Sequence, residues 1–328
     1  MRVLMVTNMY PCPERPHYGS FIKSQIDSIR EEEVDVDVLF IRGYKNKLFY
    51  FTSIVSLWWR CITQRYDIVH AHYGLSGIVA RMQLRYPVIV SYCGDDLYGH
   101  AGKEGKPTKS SLVSAWLNKQ LSRFVPAVIV KSNVMVDLLP IKENINVVPN
   151  GVDFHTFKPM EKSHCREHLG LDNNVIYVLF PYDSKRLRKN YKGVKEAVDI
   201  LKAKIQQRVE ILTVSGKLNS EIPLYMNAAD VMVLASFWEG SPNAVKEALA
   251  CNTKVVSVDV GDVKELIENV SNCAICDGTV NDMADKLESV LSEDENVSSR
   301  ETIRHLELNS IAKKVIGIYQ RVSEKNNS

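Results

Sequence analysis

The 328-residue chain contains no Gly-x-Gly-x-x-Gly and no Walker-type Gly-Lys-Ser/Thr. The first absence removes the dinucleotide fingerprint, and the second removes the phosphate loop of the common NTPases. An oxidoreductase or methyltransferase would need glycines after the first strand, where Thr7-Asn8-Met9-Tyr10-Pro11 stands instead. The seven cysteines, Cys12, Cys61, Cys93, Cys165, Cys251, Cys273 and Cys276, are odd in number and scattered. They make no disulfide framework and point to a reducing compartment. Cys273 and Cys276 have C-x-x-C spacing, but no second pair completes a zinc site, so two small buried residues are expected there. No uncharged apolar run reaches the roughly 18 residues that a membrane span needs. The chain opens directly on strand-like Arg2–Thr7 without a leader pattern, so a cytoplasmic protein is expected. Asp35-Val36-Asp37 mimics a metal-binding D-x-D, but its acids alternate with valines as solvent-facing strand residues do, and no metal site is expected.

What is present is ordinary globular composition, 45% hydrophobic and 24% charged. The net charge of +2 hides an asymmetry: residues 1–150 carry 18 Lys/Arg against 13 Asp/Glu, the remainder 23 against 26. A basic first half suits an anionic surface or substrate, while nucleic acid is not an expected partner. Strand-like runs at 2–7, 34–41, 68–71, 88–92, 127–130 and 145–148 alternate with helical patterns such as 21–31, 76–84 and 110–124. Their near-continuous apolar, β-branched character suits parallel strands covered on both faces. Pro149-Asn150-Gly151-Val152-Asp153, with Pro159 beyond, interrupts the pattern and reads as a linker. Alternation resumes at 176–181, 191–204, 209–214, 231–235, 254–258 and 273–275. The expectation is an α/β protein of two facing Rossmann-like domains, 1–150 and 151–302, with the ligand in the cleft between them. Residues 303–328 form a final helix expected to pack back toward the first domain.

One segment concentrates the chemistry. Phe237-Trp238-Glu239-Gly240-Ser241-Pro242-Asn243 separates a buried-strand pattern from a run of helix formers. The Ser-Pro pair suits an N-cap and first helical turn. A helix start offers backbone N–H groups and a positive dipole end to an anion. Glu239 before the helix and Glu247 within it would flank whatever the anion carries, a layout matching the sugar, diphosphate and ribose of a nucleotide sugar.

Four stretches in order along the chain carry a family likeness. Glu239 to Glu247, followed by 251–257, resembles the E-x7-E region of retaining GT-B glycosyltransferases, above all the bacterial group called family 4. The segment 149–153 with Phe157 and Pro159 resembles that family's linker, 67–72 its third strand, and Tyr10-Pro11 through Gly19 and Phe21 its first βα loop. The resemblance implies that Glu239 contacts donor-sugar hydroxyls and Glu247 the ribose, with the amides of Gly240, Ser241 and Asn243, around Pro242, holding sugar and diphosphate. It places Lys189 on the family's phosphate-binding lysine. The family's arginine falls near Asp183, a departure that leaves Arg186 or Arg188 to take the part. Lys217 and Leu218 stand where the family's backbone reads the nucleobase. Gly19 either lets its loop approach the phosphates or simply makes a turn. Cys93 stands where many relatives have a histidine near the donor sugar, and a thiol cannot reproduce an imidazole's hydrogen bonds. Asp95 and Asp96 either bind acceptor hydroxyls or cap the next segment, and His72 is either a cleft residue or a core histidine.

The implied reaction is retaining sugar transfer from a nucleoside diphosphate (UDP or GDP type) to an acceptor hydroxyl, with cations in place of a metal and no cofactor. Cell-surface polysaccharide or glycolipid assembly is the implied setting. A GT-B epimerase and a nucleotide-sugar-binding protein without catalysis stand as alternatives. Residues 45–65 hold Phe49, Phe51, Trp58 and Trp59 among other apolar side chains, with basic ends. Such a helix either lies on the inner membrane surface, where a lipid-linked acceptor would be met, or packs under a neighbouring loop.

Overall fold

A computed structural model describes residues 1–102, 106–293 and 298–327 and divides them into two compact units. Unit 1 runs through β1 (Arg2–Thr7), α1 (Ser20–Glu31), β2 (Asp35–Phe40), α2 (Phe49–Thr63), β3 (Ile68–His72), α3 (Gly74–Arg81), β4 (Val88–Ser91), α4 (Asp95–Tyr98), α5 (Lys109–Leu121), β5 (Ala127–Val130), α6 (Asn133–Val136) and β6 (Ile145–Val147). Unit 2 contains α7 (Lys162–Leu169), β7 (Ile176–Phe180), α8 (Tyr191–Lys204), β8 (Val209–Thr213), α9 (Ile222–Ala228), β9 (Val231–Leu234), α10 (Asn243–Ala250), β10 (Val255–Val258), α11 (Val263–Ile267), β11 (Cys273–Cys276), α12 (Val280–Ser292) and α13 (Ser299–Thr302). The chain passes between the units at Gly151 and Val152 and rejoins unit 1 through α14 (Leu308–Asn327).

The strands of unit 1 pair in parallel in the order β2-β1-β3-β4-β5-β6, and those of unit 2 in the order β11-β10-β9-β7-β8. The reason is legible in β3, β4, β5 and β9, which are buried along their whole length and mostly apolar on both faces. Helices cover one face of each sheet through Leu57, Val79 and Leu121 against β3 and β4 in unit 1, and Val198, Leu201 and Leu287 against β7 and β9 in unit 2. In each unit the strand order reverses once, between β1 and β3 and between β7 and β9. The loops leaving those strands at their carboxyl ends are where such sheets bind ligands.

The final helix begins at Leu308, later than the 303 expected, because Ile303–Glu307 stay with unit 2, where Val152 donates to the Leu306 carbonyl at 2.9 Å. Helix α14 packs on α1, and its buried Tyr319 meets His70 Nδ1 on β3 at 2.6 Å. In unit 2 Arg300 lies over the Phe154 ring and donates to the carbonyls of Phe154 and Ala250, both at 2.7 Å. The two acids of the D-x-D mimic are held by Arg2, at 3.1 Å from Asp35 and 2.8 Å from Asp37.

Candidate functional site

In unit 2 the loops after β7 and β9 flank the point where strand order reverses, and they are stitched together there. Phe237 donates its N–H to the Arg188 carbonyl at 3.0 Å. The Arg188 guanidinium returns a bond to the Trp238 carbonyl at 2.7 Å and another to Glu239 Oε2 at 3.0 Å. Lys189 Nζ binds Glu239 Oε1 and lies over the Tyr182 ring, 3.6 Å from its centroid. Lys189 and Glu239 are both buried. Burial alone would raise the Glu239 carboxyl, but the Lys189 and Arg188 charges outweigh it and hold Glu239 below its ordinary value. The result is two cations and one carboxylate fixed in position by each other and by backbone.

Lys189 and Glu239, candidates for the diphosphate and the donor sugar respectively, meet in the structure. Of the two arginines that the sequence left open, Arg188 is the one bound to Glu239, while the Arg186 side chain is exposed. Tyr182 carried no sequence signal, because it is only the second residue past β7 and nothing in its type marks a cation platform. Burial and the Glu239 charge keep its hydroxyl protonated.

Helix α10 starts at Asn243 with Pro242 at the cap position and no side-chain cap. Ser241 is therefore not the N-cap that its Ser-Pro pairing predicts. Its Oγ instead accepts from Lys246 Nζ at 3.0 Å, a lysine wholly buried on the inner side of α10. Asp262, also buried, stands near that ammonium. Beside it Gly261 adopts φ +63°, and a Cβ there would lie 2.6 Å from the Gly240 carbonyl oxygen. The loop after β10 thus props the Glu239–Gly240 backbone from behind, a role no motif announced. Glu247 is half-buried, and loss of surrounding water pushes its carboxyl up to about 7, with Lys246 opposing. Lys217 is exposed and loosely paired with Glu221 at 3.8 Å, and the Leu218 N–H is taken by Glu221 at 2.8 Å.

A cavity of about 500 Å³ lies at the other end of this sheet, by the amino ends of β7, β9 and β10. Of the acids that line it, Asp230 is engaged by Arg166 at 2.7 Å, Lys162 at 3.1 Å and the Tyr177 N–H at 2.7 Å. That cavity is a seam between structural ion pairs and carries none of the predicted residues.

In unit 1 the loop after β1 is shaped by Thr7, whose hydroxyl bonds both N–H and carbonyl of Met9 at 3.1 and 3.0 Å. Gly19 closes the loop at φ +72°, and a Cβ there would stand 2.6 Å from the Met9 carbonyl carbon. Backbone cannot yield as a side chain can, so Gly19→Ala is expected to cost about 1–3 kcal/mol. A melting temperature a few degrees lower in differential scanning calorimetry is the check, and an unchanged melting temperature would overturn it. Asp96 resolves to a cap: its carboxylate accepts from Gly94 at 2.9 Å, Cys93 at 3.1 Å and Gly74 at 3.3 Å. Asp95 stands 3.8 Å from His100. Burial pushes the Cys93 thiol up to about 12, so it is a neutral group. His72 is fully buried with neither ring nitrogen hydrogen-bonded, and burial keeps it neutral. Lys131, at the end of β5 and unmarked by sequence, is likewise buried without a hydrogen-bond partner for Nζ.

Among the described residues no three His, Cys, Asp or Glu side chains converge as metal ligands do. No helix among them is long and apolar enough to cross a membrane.

Two parallel-sheet Rossmann-like units, with the motif glutamates and cations at a strand-order reversal, define a GT-B protein. Among solved structures, sucrose-phosphate synthase from Thermosynechococcus elongatus superposes with a TM-score of 0.80 at 16% identity, covering 98% of both chains. Anabaena Alr3699/HepE, solved in complex with UDP and glucose, gives 0.66 at 17% identity, covering 100% of this chain and 99% of that one. The description Glycosyltransferase Family 4 matches residues 2–156, and Glycosyl transferases group 1 matches residues 191–293. The chain belongs to the family 4 type of GT-B glycosyltransferases. The UDP-Gal:alpha-D-GlcNAc-diphosphoundecaprenol alpha-1,3-galactosyltransferase of Escherichia coli is 28% identical over 253 residues, 66% of this chain. A D-inositol 3-phosphate glycosyltransferase of Pseudarthrobacter chlorophenolicus is 24% identical over 269 residues, 70% of this chain. The matches span 64% and 63% of those two relatives' own lengths.

Proposed function

We propose that the protein transfers a sugar, with retention of anomeric configuration, from a nucleoside diphosphate sugar to an acceptor hydroxyl in polysaccharide or glycolipid assembly. The observation that carries this reading is the convergence of Lys189 and Arg188 on Glu239 beside the start of α10. As the bond to the sugar breaks, negative charge grows on the departing diphosphate. The two cations and the positive end of α10 are already oriented to meet it, so they need no reorganisation during the step. They supply the neutralising charge that a metal supplies elsewhere. Glu239, held between them, retains lone pairs for donor-sugar hydroxyls, and Glu247 suits the vicinal hydroxyls of a ribose. A uridine donor is favoured by the UDP bound to Anabaena HepE and the UDP-Gal in the Escherichia coli relative's name. That relative's diphosphoundecaprenol substrate likewise favours a lipid-linked acceptor, met where α2 touches the inner membrane surface.

Thermal denaturation with a panel of UDP and GDP sugars tests the reading. At about 100-fold excess over its dissociation constant, one donor should add about 2.7 kcal/mol of stability. Free nucleoside diphosphate should then be released only when an acceptor is present. A panel in which no nucleotide sugar shifts the transition would sink it.

A further inference from the structure

One exposed surface of unit 1 is built from three helices, only one of which the sequence marks. Helix α2 buries Ser53, Leu57 and Cys61 and leaves Phe51, Trp58 and Trp59 at 69%, 52% and 68% exposure. Helix α3 packs against both α2 and α5. On α5, Val113 and Trp116 are 61% and 58% exposed, because Ser111, Ala115, Asn118 and Leu121 take the buried side. The three helices are joined at their carboxyl ends: Trp58 Nε1 donates to the Met82 carbonyl at 3.0 Å, and Arg81 Nε to the Phe124 carbonyl at 2.9 Å. Leu84, 84% exposed, lies in the turn after α3.

Charge says what covers this layer. Residues 44–66, 74–86 and 109–124 hold four, two and three Lys/Arg, nine in all, and no Asp or Glu. At the chain's average of 39 acids in 328 residues, these 52 positions would hold about six. Of the nine cations only Lys45 is in an ion pair among the described residues, with Glu14. A protein partner or a second copy would be met by mixed charge, whereas indole rings amid unpaired cations suit a headgroup layer with anionic lipid beneath. We infer that α2, the turn after α3 and α5 together form a docking face for an anionic bilayer surface. This rests on the lipid-linked acceptor reading and extends it from one helix to a three-helix layer.

The test is co-sedimentation of the full chain with phosphatidylcholine vesicles, and with vesicles of which about one lipid in three is phosphatidylglycerol. Binding to the anionic vesicles should be at least about tenfold tighter, weaken with added salt, and shift tryptophan emission to the blue. Trp116→Ser alone should weaken it about as much as Trp59→Ser, with unchanged melting temperature since both rings are exposed. Failure to bind anionic vesicles, or full binding by the Trp58→Ser/Trp59→Ser/Trp116→Ser variant, overturns the proposal. So does a stable dimer in solution that loses the vesicle response. None of these outcomes touches the nucleotide-sugar shift, so the two readings fail separately.

Discussion

Lys189→Ala is expected to lower kcat/KM for sugar transfer by about 10²–10³-fold, the usual loss when one preorganised donor to a developing anion is removed. The same variant should lose the stabilisation conferred by the donor. Its fold should survive, because Glu239 keeps Arg188 at 3.0 Å and is not left as an unpaired buried charge. Breaking a buried pair outright costs about 3–5 kcal/mol, and the loss here should fall below that. Arg188→Ala should behave similarly but also unfasten the two loops, since it releases the Trp238 carbonyl. Arg186→Ala, on an exposed side chain, should change kcat/KM by less than about threefold. Steady-state kinetics on the three variants, with melting temperatures alongside, decide the matter. Near-normal turnover in Lys189→Ala, or equal losses in all three, would remove this cluster from the chemistry.

Donor affinity should rise about tenfold between pH 6 and pH 8, because Glu247 must be ionised to accept from two hydroxyls. With its carboxyl pushed up to about 7 by burial, it is mostly protonated at the lower pH and mostly ionised at the higher. The stability linkage has the opposite sign. The folded state holds its proton more tightly than the unfolded chain, whose value is 4.5, so stability falls as pH rises from there through about 7 and then levels. Glu247→Gln should therefore raise the melting temperature at pH 8 while leaving it unchanged near the unfolded value. It should also flatten the pH dependence of donor binding. Isothermal titration with a nucleoside diphosphate sugar, whose phosphates do not titrate in this range, is the measurement. A pH-independent dissociation constant in the unsubstituted protein would show that the ionised carboxylate is not what the donor meets.

Much of this was legible from residue order. The strand runs announced a parallel architecture because apolar residues on both faces have no other stable use. Glu239 and Glu247 stand out because motif spacing reports positions along one helix and its preceding loop, and Lys189 because it lies just before the helix α8. The Ser241 cap was misread because serine at a helix start has two possible partners, and local sequence does not reveal a buried lysine five residues later. Arg186 and Arg188 were indistinguishable for a related reason: they are equal in chemistry and two residues apart, and only the 3₁₀ turn Leu187–Lys189 decides which one faces Glu239.

By itself, then, sequence determined the two-unit α/β plan, the E-x7-E segment and the surplus of apolar residues on one early helix. These depend on periodicity and on neighbours in the chain. Tertiary structure alone decided that Arg188 completes the cation pair, that Tyr182 underlies it, and that Gly261 and Lys246 brace the loop. It also decided that α5 shares α2's exposed layer. Arg188 and Glu239 of the cation cluster stand 51 positions apart in sequence, and α2 ends at Thr63 where α5 begins only at Lys109. Contacts of that range arise from how strands are ordered in a sheet, and no local pattern encodes them.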